Sequence, residues 1–202
     1  MSKDNETEQK ILEAAELVFQ EKGYSGARMR EIAERAGTNK GLLHYYFKTK
    51  DKLFEAIFSV AFNRLLSKIR AVLELDMPLD EKIDLVVDQY MGLLLKNPGL
   101  PRFVLHELHK NPDQFVARHL NENVKRVFSD FKKSIGKEAE TGKIIPIDPR
   151  QLLMNLISMV IFPFVGRPML QVVFGADNNE FKQLLNDRKE HIKLFIKQAI
   201  RP

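Results

Sequence analysis

The sequence predicts an all-α protein of about nine helices in two domains. Apolar residues recur at spacings of three and four along most of the 202-residue chain, and no segment alternates in the way that a strand does. Proline and glycine mark several boundaries between these stripes, as at Asn97-Pro98-Gly99 and Asn111-Pro112. Because the character of the sequence changes after its first quarter, we expect a small helical domain over residues 1–50 and a larger one over residues 51–202.

Three helices are predicted in the first domain. The first is predicted by an apolar stripe that ends before Gly23 and consists of Ile11, Ala14, Ala15, Val18 and Phe19. A second stripe runs from Met29 to Ala36, and Gly37 then supplies a residue that tolerates positive φ where the chain turns. Thr38 can cap the third helix, which carries Asn39, Lys40, His44, Tyr45 and Tyr46.

The formal net charge of +5 resides in this same region. Between Lys22 and Lys52 the chain has eight lysines and arginines against three acids, and the remaining residues sum to about zero. Such a concentration is typical of a surface that neutralises nucleic-acid phosphates, because each neutralised phosphate releases counterions. The alternative is an ordinary solvated basic face.

The segment that follows Arg28 resembles the helix-turn-helix of the TetR family of bacterial transcriptional repressors. The resemblance rests on the order and spacing of Ile32-Ala33, Ala36-Gly37, Asn39-Lys40-Gly41, Leu43-His44, Tyr46-Phe47 and Lys50. It covers about the first quarter of the chain closely and the helical remainder weakly. It implies an N-terminal domain that enters the major groove of DNA and a helical C-terminal domain that binds an effector and a second subunit.

The second helix of this motif is expected to contact bases. Asn39, Lys40 and Tyr45 lie early enough to reach base edges, where lysine donates to guanine acceptors and asparagine forms paired bonds with adenine. Arg30 corresponds to a position that contacts a base in some family members, although a solvated arginine is the alternative. Phosphate contacts better fit the side chains of Thr38, His44, Tyr46 and Lys50.

Two positions depart from the family pattern. Ala27-Arg28 stands where the family often has two threonines or threonine and serine, and the charge of Arg28 can replace the lost phosphate contact. His44 stands where tyrosine is common. A protonated histidine binds phosphate more tightly than a neutral one, which predicts stronger DNA binding at lower pH.

Six further helices are predicted in the second domain. In chain order they span about residues 49–77, 79–96, 101–110, 112–141, 149–162 and 177–199. Asp148-Pro149 is a sharp helix start, because aspartate caps a helix and proline is preorganised for its first turn. Asp177 with Glu180 three residues later predicts the start of the last helix.

The last two of these helices are apolar on more than one face, so each needs cover on more than one side. The TetR resemblance implies that they pair with their copies in a four-helix bundle between two subunits. Packing within a single chain is the alternative. The residues expected at the subunit interface are Leu156, Val160, Phe181, Leu185, Ile192 and Phe195.

The resemblance also implies an effector pocket in the second domain. The candidates for its lining are Tyr90, Met91, Phe103, His106, Phe128, Phe131, Met154 and Phe162. The alternative for each of them is ordinary core packing. A wall of methionine and aromatic side chains with little charge suits an apolar or amphipathic small molecule.

Other classes of function find little support in the sequence. The absence of cysteine excludes disulfides and cysteine nucleophiles and fits a reducing cytoplasm. Neither a glycine-rich phosphate loop nor a nucleophile with its base is recognisable, so we expect no enzyme and no cofactor. His106 and His109 lie three residues apart without a third ligand, so we expect no metal site. The longest apolar stretch, residues 152–165, is too short to span a bilayer.

Together these features predict a homodimeric repressor that binds a palindromic operator in double-stranded DNA and is released by a small-molecule effector. Its two recognition helices would enter successive major grooves about 34 Å apart. The alternative is a constitutive architectural DNA-binding protein whose helical dimerisation domain binds no ligand.

Overall fold

The computed structural model describes residues 3–202, and over this range it contains eleven α-helices and no strands. The all-α prediction is therefore confirmed. The helices are α1 (Lys3–Gly26), α2 (Met29–Arg35), α3 (Lys40–Tyr46), α4 (Lys50–Glu74), α5 (Leu79–Lys96), α6 (Leu100–Lys110), α7 (Pro112–His119), α8 (Glu122–Glu140), α9 (Pro149–Val165), α10 (Arg167–Phe174) and α11 (Asn178–Ile200).

The two helices beyond the predicted nine arise at two places. Residues 112–141 form α7 and α8 rather than one helix, because Asn121 caps a new helix and its side chain accepts a hydrogen bond from the Asn123 amide at 3.0 Å. Residues 167–174 form α10, which the sequence prediction left unassigned. Pro168 lies in the first turn of α10, where a missing amide hydrogen costs nothing.

The chain packs as two compact units. The first consists of the residues up to Asn63 together with Lys96–Leu100, and the second consists of Arg64–Leu95 and Pro101–Pro202. Helix α4 contributes residues to both units. The functional division after residue 50 stays a prediction, because these units are defined by packing alone.

The first unit is built around the apolar stripe of α1. Ile11, Ile32 and Leu43, one each from α1, α2 and α3, are fully buried. The stripe predicted for α1 is buried as well, although the helix continues past Gly23, where a φ of 68° introduces a kink. Phe54 of α4 packs edge-on against the ring of Phe19 at 4.8 Å between centroids. Two short helices are thus fixed against two long ones.

The second unit has its core among α5, α9 and α11. Met91, Val160 and Ile192 are buried there. Ion pairs join α5 to α11, with Lys193 Nζ 2.9 Å from Asp88 Oδ1 and Lys197 Nζ 2.8 Å from Asp84 Oδ2. Long-range contacts of this kind fix the register between two helices that apolar packing alone specifies weakly.

The predicted helix starts at Asp148 and Asp177 are both confirmed. The Asp148 side chain accepts a hydrogen bond from the Arg150 amide at 2.8 Å, and Pro149 opens α9. Asp177 and Glu180 form a complete capping box at the start of α11. The side-chain hydrogen bond with Arg150, together with the backbone one, lowers the pKa of Asp148 to about 2.

Within the described residues, no single helix is long and apolar enough to cross a membrane. Helices α9 and α10 reach that length and composition only as a pair, and the chain bends by 77° between them.

Candidate nucleic-acid interface

Helices α2 and α3 form a helix-turn-helix on the surface of the first unit. The turn is a Schellman motif: the Thr38 amide donates to the carbonyl of Ala33 at 2.9 Å, and the Gly37 amide donates to that of Glu34 at 3.1 Å. Gly37 has a φ of 66°, which side-chain-bearing residues rarely adopt. The predicted role of Gly37 is therefore confirmed, and the turn sets the direction of α3.

The cap of α3 is Asn39, whereas the sequence analysis predicted Thr38. Asn39 Oδ1 accepts a hydrogen bond from the Leu42 amide at 2.8 Å. The paired bond of asparagine to adenine needs the same oxygen as an acceptor. The capping contact therefore competes with the base contact that we expected of Asn39, and Thr38 is left half-buried in the turn.

The outer side of α3 carries polar and aromatic side chains. Lys40 and His44 are exposed one turn apart, and the Tyr45 ring is 77% exposed. The rings of Tyr45 and Tyr46 meet edge-on at 5.4 Å between centroids. Gly41 adds no side chain to this side of the helix, so a DNA backbone can approach α3 closely beside Lys40.

Two arginines border the same motif. Arg28 is exposed at the N-cap position of α2 and makes no capping contact with its side chain. Arg30 forms an ion pair with Glu34 at 2.9 Å, and both side chains are mostly exposed. Exposed pairs of this kind contribute little free energy, so the Arg30 guanidinium is readily released for a phosphate or a base.

Tyr46 and Lys50 are already engaged with the protein itself. The Tyr46 hydroxyl donates to Asp4 Oδ1 at 3.1 Å. Lys50 Nζ donates to the carbonyls of Tyr24 at 2.9 Å and Ala27 at 3.3 Å, and it lies 4.4 Å from the centroid of the Tyr24 ring. These contacts connect the end of α1 to the start of α4. They give Lys50 a structural role that competes with the predicted phosphate contact.

Lys48 is a further candidate for the interface that the sequence analysis did not single out. It is exposed between α3 and α4, and no described carboxylate pairs with it. By contrast, Lys22 pairs with Glu31 at 2.6 Å and Arg35 pairs with Glu21 at 2.7 Å, which holds α1 against α2. The position of Lys48 directly before the Thr49 cap was the signal that could have identified it. We call Arg28, Lys40, His44, Tyr45 and Lys48 the recognition surface.

The residues predicted to line an effector pocket divide by exposure. Met91, Phe103 and Phe131 are buried, Tyr90 and Phe128 are half-buried, and His106, Met154 and Phe162 are exposed. The three exposed residues do not fit an enclosed pocket, and the lining of an effector pocket stays a prediction. Burial raises the pKa of the Tyr90 hydroxyl to about 12, and this hydroxyl makes no hydrogen bond within the described part of the chain.

The residues predicted at a subunit interface also need correction. Five of them, Leu156, Val160, Phe181, Leu185 and Ile192, are buried within one chain, so a second subunit cannot reach them. Phe195 is 61% exposed. The stripes predicted on α9 and α11 are real, but their inward sides fill the core of the second unit.

Helices α9, α10 and α11 also carry exposed large apolar side chains, which we call the apolar patch. Its exposed members are Met154, Phe162, Met169, Val172, Val173, Phe174, Leu184, Leu194 and Phe195. An open groove of about 650 Å³ lies between α9 and α11 and is lined by Ser158, Met159, Arg188, His191 and Phe195 among others.

Comparison with known proteins supports the predicted family. Residues 11–57 match the family model "Bacterial regulatory proteins, tetR family". The HTH-type transcriptional regulator RutR of Escherichia coli (strain K12) is 26% identical over 196 residues, which cover 95% of this chain and 89% of RutR. The nucleoid occlusion factor SlmA of Aliivibrio fischeri (strain MJ11) is 22% identical over 159 residues, which cover 78% of this chain and 81% of SlmA.

Solved structures of transcriptional regulators share the fold. The crystal structure of the transcriptional regulator FadR from Bacillus subtilis superposes with a TM-score of 0.60, at 20% identity, over 91% of this chain and 96% of FadR. The matched segment 11–57 includes the whole helix-turn-helix and the start of α4. These similarities support a DNA-binding transcriptional regulator of the TetR family, with residues 11–57 as its helix-turn-helix region.

Proposed function

We propose that the chain is a homodimeric repressor that binds a palindromic operator and is released from it by an apolar or amphipathic small molecule. The observation that carries the proposal is a contrast in exposure within the motif. Ile32 and Leu43 are buried and anchor the motif in the core, whereas Lys40 and Tyr45 are exposed on its outer side. Lys40 and Tyr45 contact base edges in this proposal, because they project from the first turns of α3.

The remaining recognition surface positions α3 on the duplex. Arg28, His44 and Lys48 contact phosphates, which adds affinity without sequence preference. Arg30 joins them when its exposed pair with Glu34 opens. Thr38 and Asn39 act mainly through the turn and the cap, and Tyr46 and Lys50 act through the contacts that hold α3 and α4 in place.

The apolar patch supports a dimer. Nine large apolar side chains are exposed on α9, α10 and α11, and exposed apolar patches commonly mark protein–protein contacts. Exposed side chains on α9 and α11 suit a bundle of helices with a second copy. A two-fold dimer carries two copies of α3, which lie in successive major grooves about 34 Å apart. One short helix recognises too few bases for selectivity, and a dimer doubles that number.

The second unit supports a ligand-binding role. Partial burial raises the pKa of the Tyr90 hydroxyl, which has no hydrogen-bond partner among residues 3–202, and Met91 and Phe103 are buried. The structurally similar FadR of Bacillus subtilis was solved in complex with stearoyl-CoA, an amphipathic molecule. A ligand that binds better to a conformation with the wrong half-site spacing lowers operator affinity by that difference.

Selection of bound sequences from random DNA tests the proposal. We expect a palindrome whose half-sites are centred about 10 base pairs apart or a multiple of that distance. Lys40→Ala and Tyr45→Ala should each alter the selected bases, whereas Lys132→Ala, an exposed lysine on α8, should not. Recovery of a single asymmetric site by the unaltered protein would rule out the two-fold arrangement.

The second candidate is a constitutive architectural DNA-binding protein. The similarity to SlmA, a nucleoid occlusion factor, favours it. A thermal-shift screen against a broad set of metabolites separates the two, because a ligand specific for the native state raises the melting temperature. Release of operator DNA by a stabilising compound supports the repressor, and an operator affinity unchanged by every stabilising compound supports the architectural protein.

A further inference from the structure

Lys82 of α5 is a buried cation without an anionic partner. The residue is 8% exposed. Its ammonium donates to the carbonyl of Leu73 at 2.8 Å and, over a longer distance of 3.5 Å, to Ser134 Oγ. No carboxylate within residues 3–202 forms an ion pair with it. Buried charges in proteins are normally paired, because desolvation of an isolated ion is costly.

The contact with Leu73 uses only one of the three N–H donors of the Lys82 ammonium. Leu73 lies in the last turn of α4, where a lysine commonly donates to a free carbonyl. An ammonium has three N–H donors. One donor is well used by Leu73, the bond to Ser134 is long, and the third has no acceptor within the described residues. A cap alone gives no reason to bury the charge in this way.

The Lys82 side chain lines a cleft of about 150 Å³ in the second unit. The cleft lies among the segment after α4, the start of α5 and the C-terminal half of α8. The lining consists of Leu75, Asp76, Met77, Leu79, Lys82, Lys133, Ser134, Lys137 and Glu138. It therefore holds three ammonium groups and two carboxylates, and its net charge is positive.

The two carboxylates of the cleft have cationic partners of their own. Asp76 lies 3.6 Å from Lys137, and Glu138 lies 3.6 Å from Lys143, which is outside the cleft. Lys133 pairs loosely with Asp130 at 3.7 Å. Lys82 is left as the cation at the base of the cleft whose charge no protein group balances.

We propose that this cleft binds a small oxyanion, a phosphate or a short carboxylate, with Lys82 as its principal ligand. The anion accepts the free N–H of Lys82, and the Ser134 hydroxyl donates to it while accepting from Lys82. Lys133 and Lys137 close the outer side. The volume suits a small anion and is below the range of about 300–1,000 Å³ that larger ligands occupy.

This site goes beyond the effector pocket of the proposed function. None of the eight residues predicted for that pocket lines the cleft. The anion binds the same ammonium that donates to the Leu73 carbonyl, so the site adjoins the last turn of α4. The protein would thus respond to two ligands of different chemistry.

Calorimetric titration with inorganic phosphate tests the site. The titration uses the full chain without DNA, in a background of sodium chloride at constant ionic strength. We expect saturable binding at one site per chain, and an affinity about tenfold to a hundredfold lower in Lys82→Met, which keeps most of the apolar stem. The matched control Lys132→Met removes one charge at an exposed position of α8 and should leave the affinity unchanged. Parallel titrations with sodium acetate distinguish a phosphate site from a carboxylate site.

Two further variants keep the test decisive. If Lys82→Met does not fold, the double variant Lys133→Met with Lys137→Met, both exposed, should lower the affinity instead. Lys40→Ala should retain phosphate binding, and its loss there would place the anion on the recognition surface and overturn the inference. The inference would also be overturned if Lys82→Met gave the same binding heats as the unaltered protein, both with phosphate and with acetate. Because no DNA is present, either result leaves the proposed repressor function untouched.

Discussion

The recognition surface on α3 and the apolar patch on α9–α11 are both exposed, and they differ in the chemistry of their outermost side chains. On α3, exposure falls on Lys40, His44 and Tyr45, whose polar groups can hydrogen-bond a nucleic acid. On α11, exposure falls on Leu194 and Phe195, which gain free energy only by leaving water. In both regions the inward side packs the core, so the outward side indicates the partner.

The largest effect should come from removing both base contacts together. We expect the variant that carries Lys40→Ala and Tyr45→Ala to bind its selected operator about a hundredfold or more weakly, because each base contact contributes about 1–3 kcal/mol. Fluorescence anisotropy with labelled operator measures this loss. The dimer should persist in sedimentation, since both residues belong to the first unit. Operator affinity within threefold of the unaltered protein would contradict the role given to α3.

A single charged substitution in the apolar patch should weaken the dimer to a similar degree. We expect Phe195→Glu to weaken the dimer by about thirtyfold or more, because a buried aromatic anchor contributes about 2 kcal/mol or more to an interface. Sedimentation velocity over a concentration series measures the dissociation constant. Leu105→Glu on α6, a residue exposed to a similar degree, is the matched control and should leave the dimer intact. Equal dissociation constants for the two variants would place the subunit contact elsewhere.

The raised pKa of half-buried Tyr90 predicts a stability loss at high pH. Its folded pKa of about 12 lies above its ordinary value of 10.0, so between these values the unfolded chain loses the proton first and stability falls. The fall should amount to about 1.4 kcal/mol for each pH unit. Urea unfolding between pH 9 and pH 11 should show a shallower decline for Tyr90→Phe than for exposed Tyr45→Phe. Parallel declines in the two variants would show that Tyr90 ionises normally.

The smallest expected effects distinguish Lys50, which has a structural role, from Arg28, which we expect to contact a phosphate. Lys50→Met should lower the free energy of unfolding by about 1 kcal/mol, because it removes hydrogen bonds to the Tyr24 and Ala27 carbonyls. It should leave the salt dependence of operator binding unchanged, whereas Arg28→Ala should reduce that slope by about one. A reduced slope in Lys50→Met would restore the phosphate contact first predicted for Lys50.

Local signals in the sequence predicted much of the fold. Asp177 with Glu180 identified the start of α11, and the helix predicted over residues 79–96 matches α5. The break between α7 and α8 was missed because Leu120 and Asn121 bring neither proline nor glycine to the boundary. Asn39 was passed over as a cap because Thr38, its neighbour, is also a favoured capping residue.

The parts of the site that escaped prediction depend on distant contacts. Lys50 was assigned to phosphate because its acceptors, the Tyr24 and Ala27 carbonyls, lie 26 and 23 residues away along the chain. A helical stripe likewise shows that α11 buries one side but not which residues meet the core, so Ile192 and Phe195 were grouped together. The structure separates them into a buried residue and a 61% exposed one.

Hydroxyl-radical footprinting of the protein, alone and with its selected operator, tests the contrast between the two surfaces most directly. The account predicts that Tyr45 is oxidised rapidly in the free protein and is protected by operator. Phe195 should be protected with and without DNA at concentrations where the dimer forms, while Leu105 should react in both samples. Equal oxidation of Tyr45 with and without operator, or oxidation of Phe195 as fast as that of Leu105, would contradict the account.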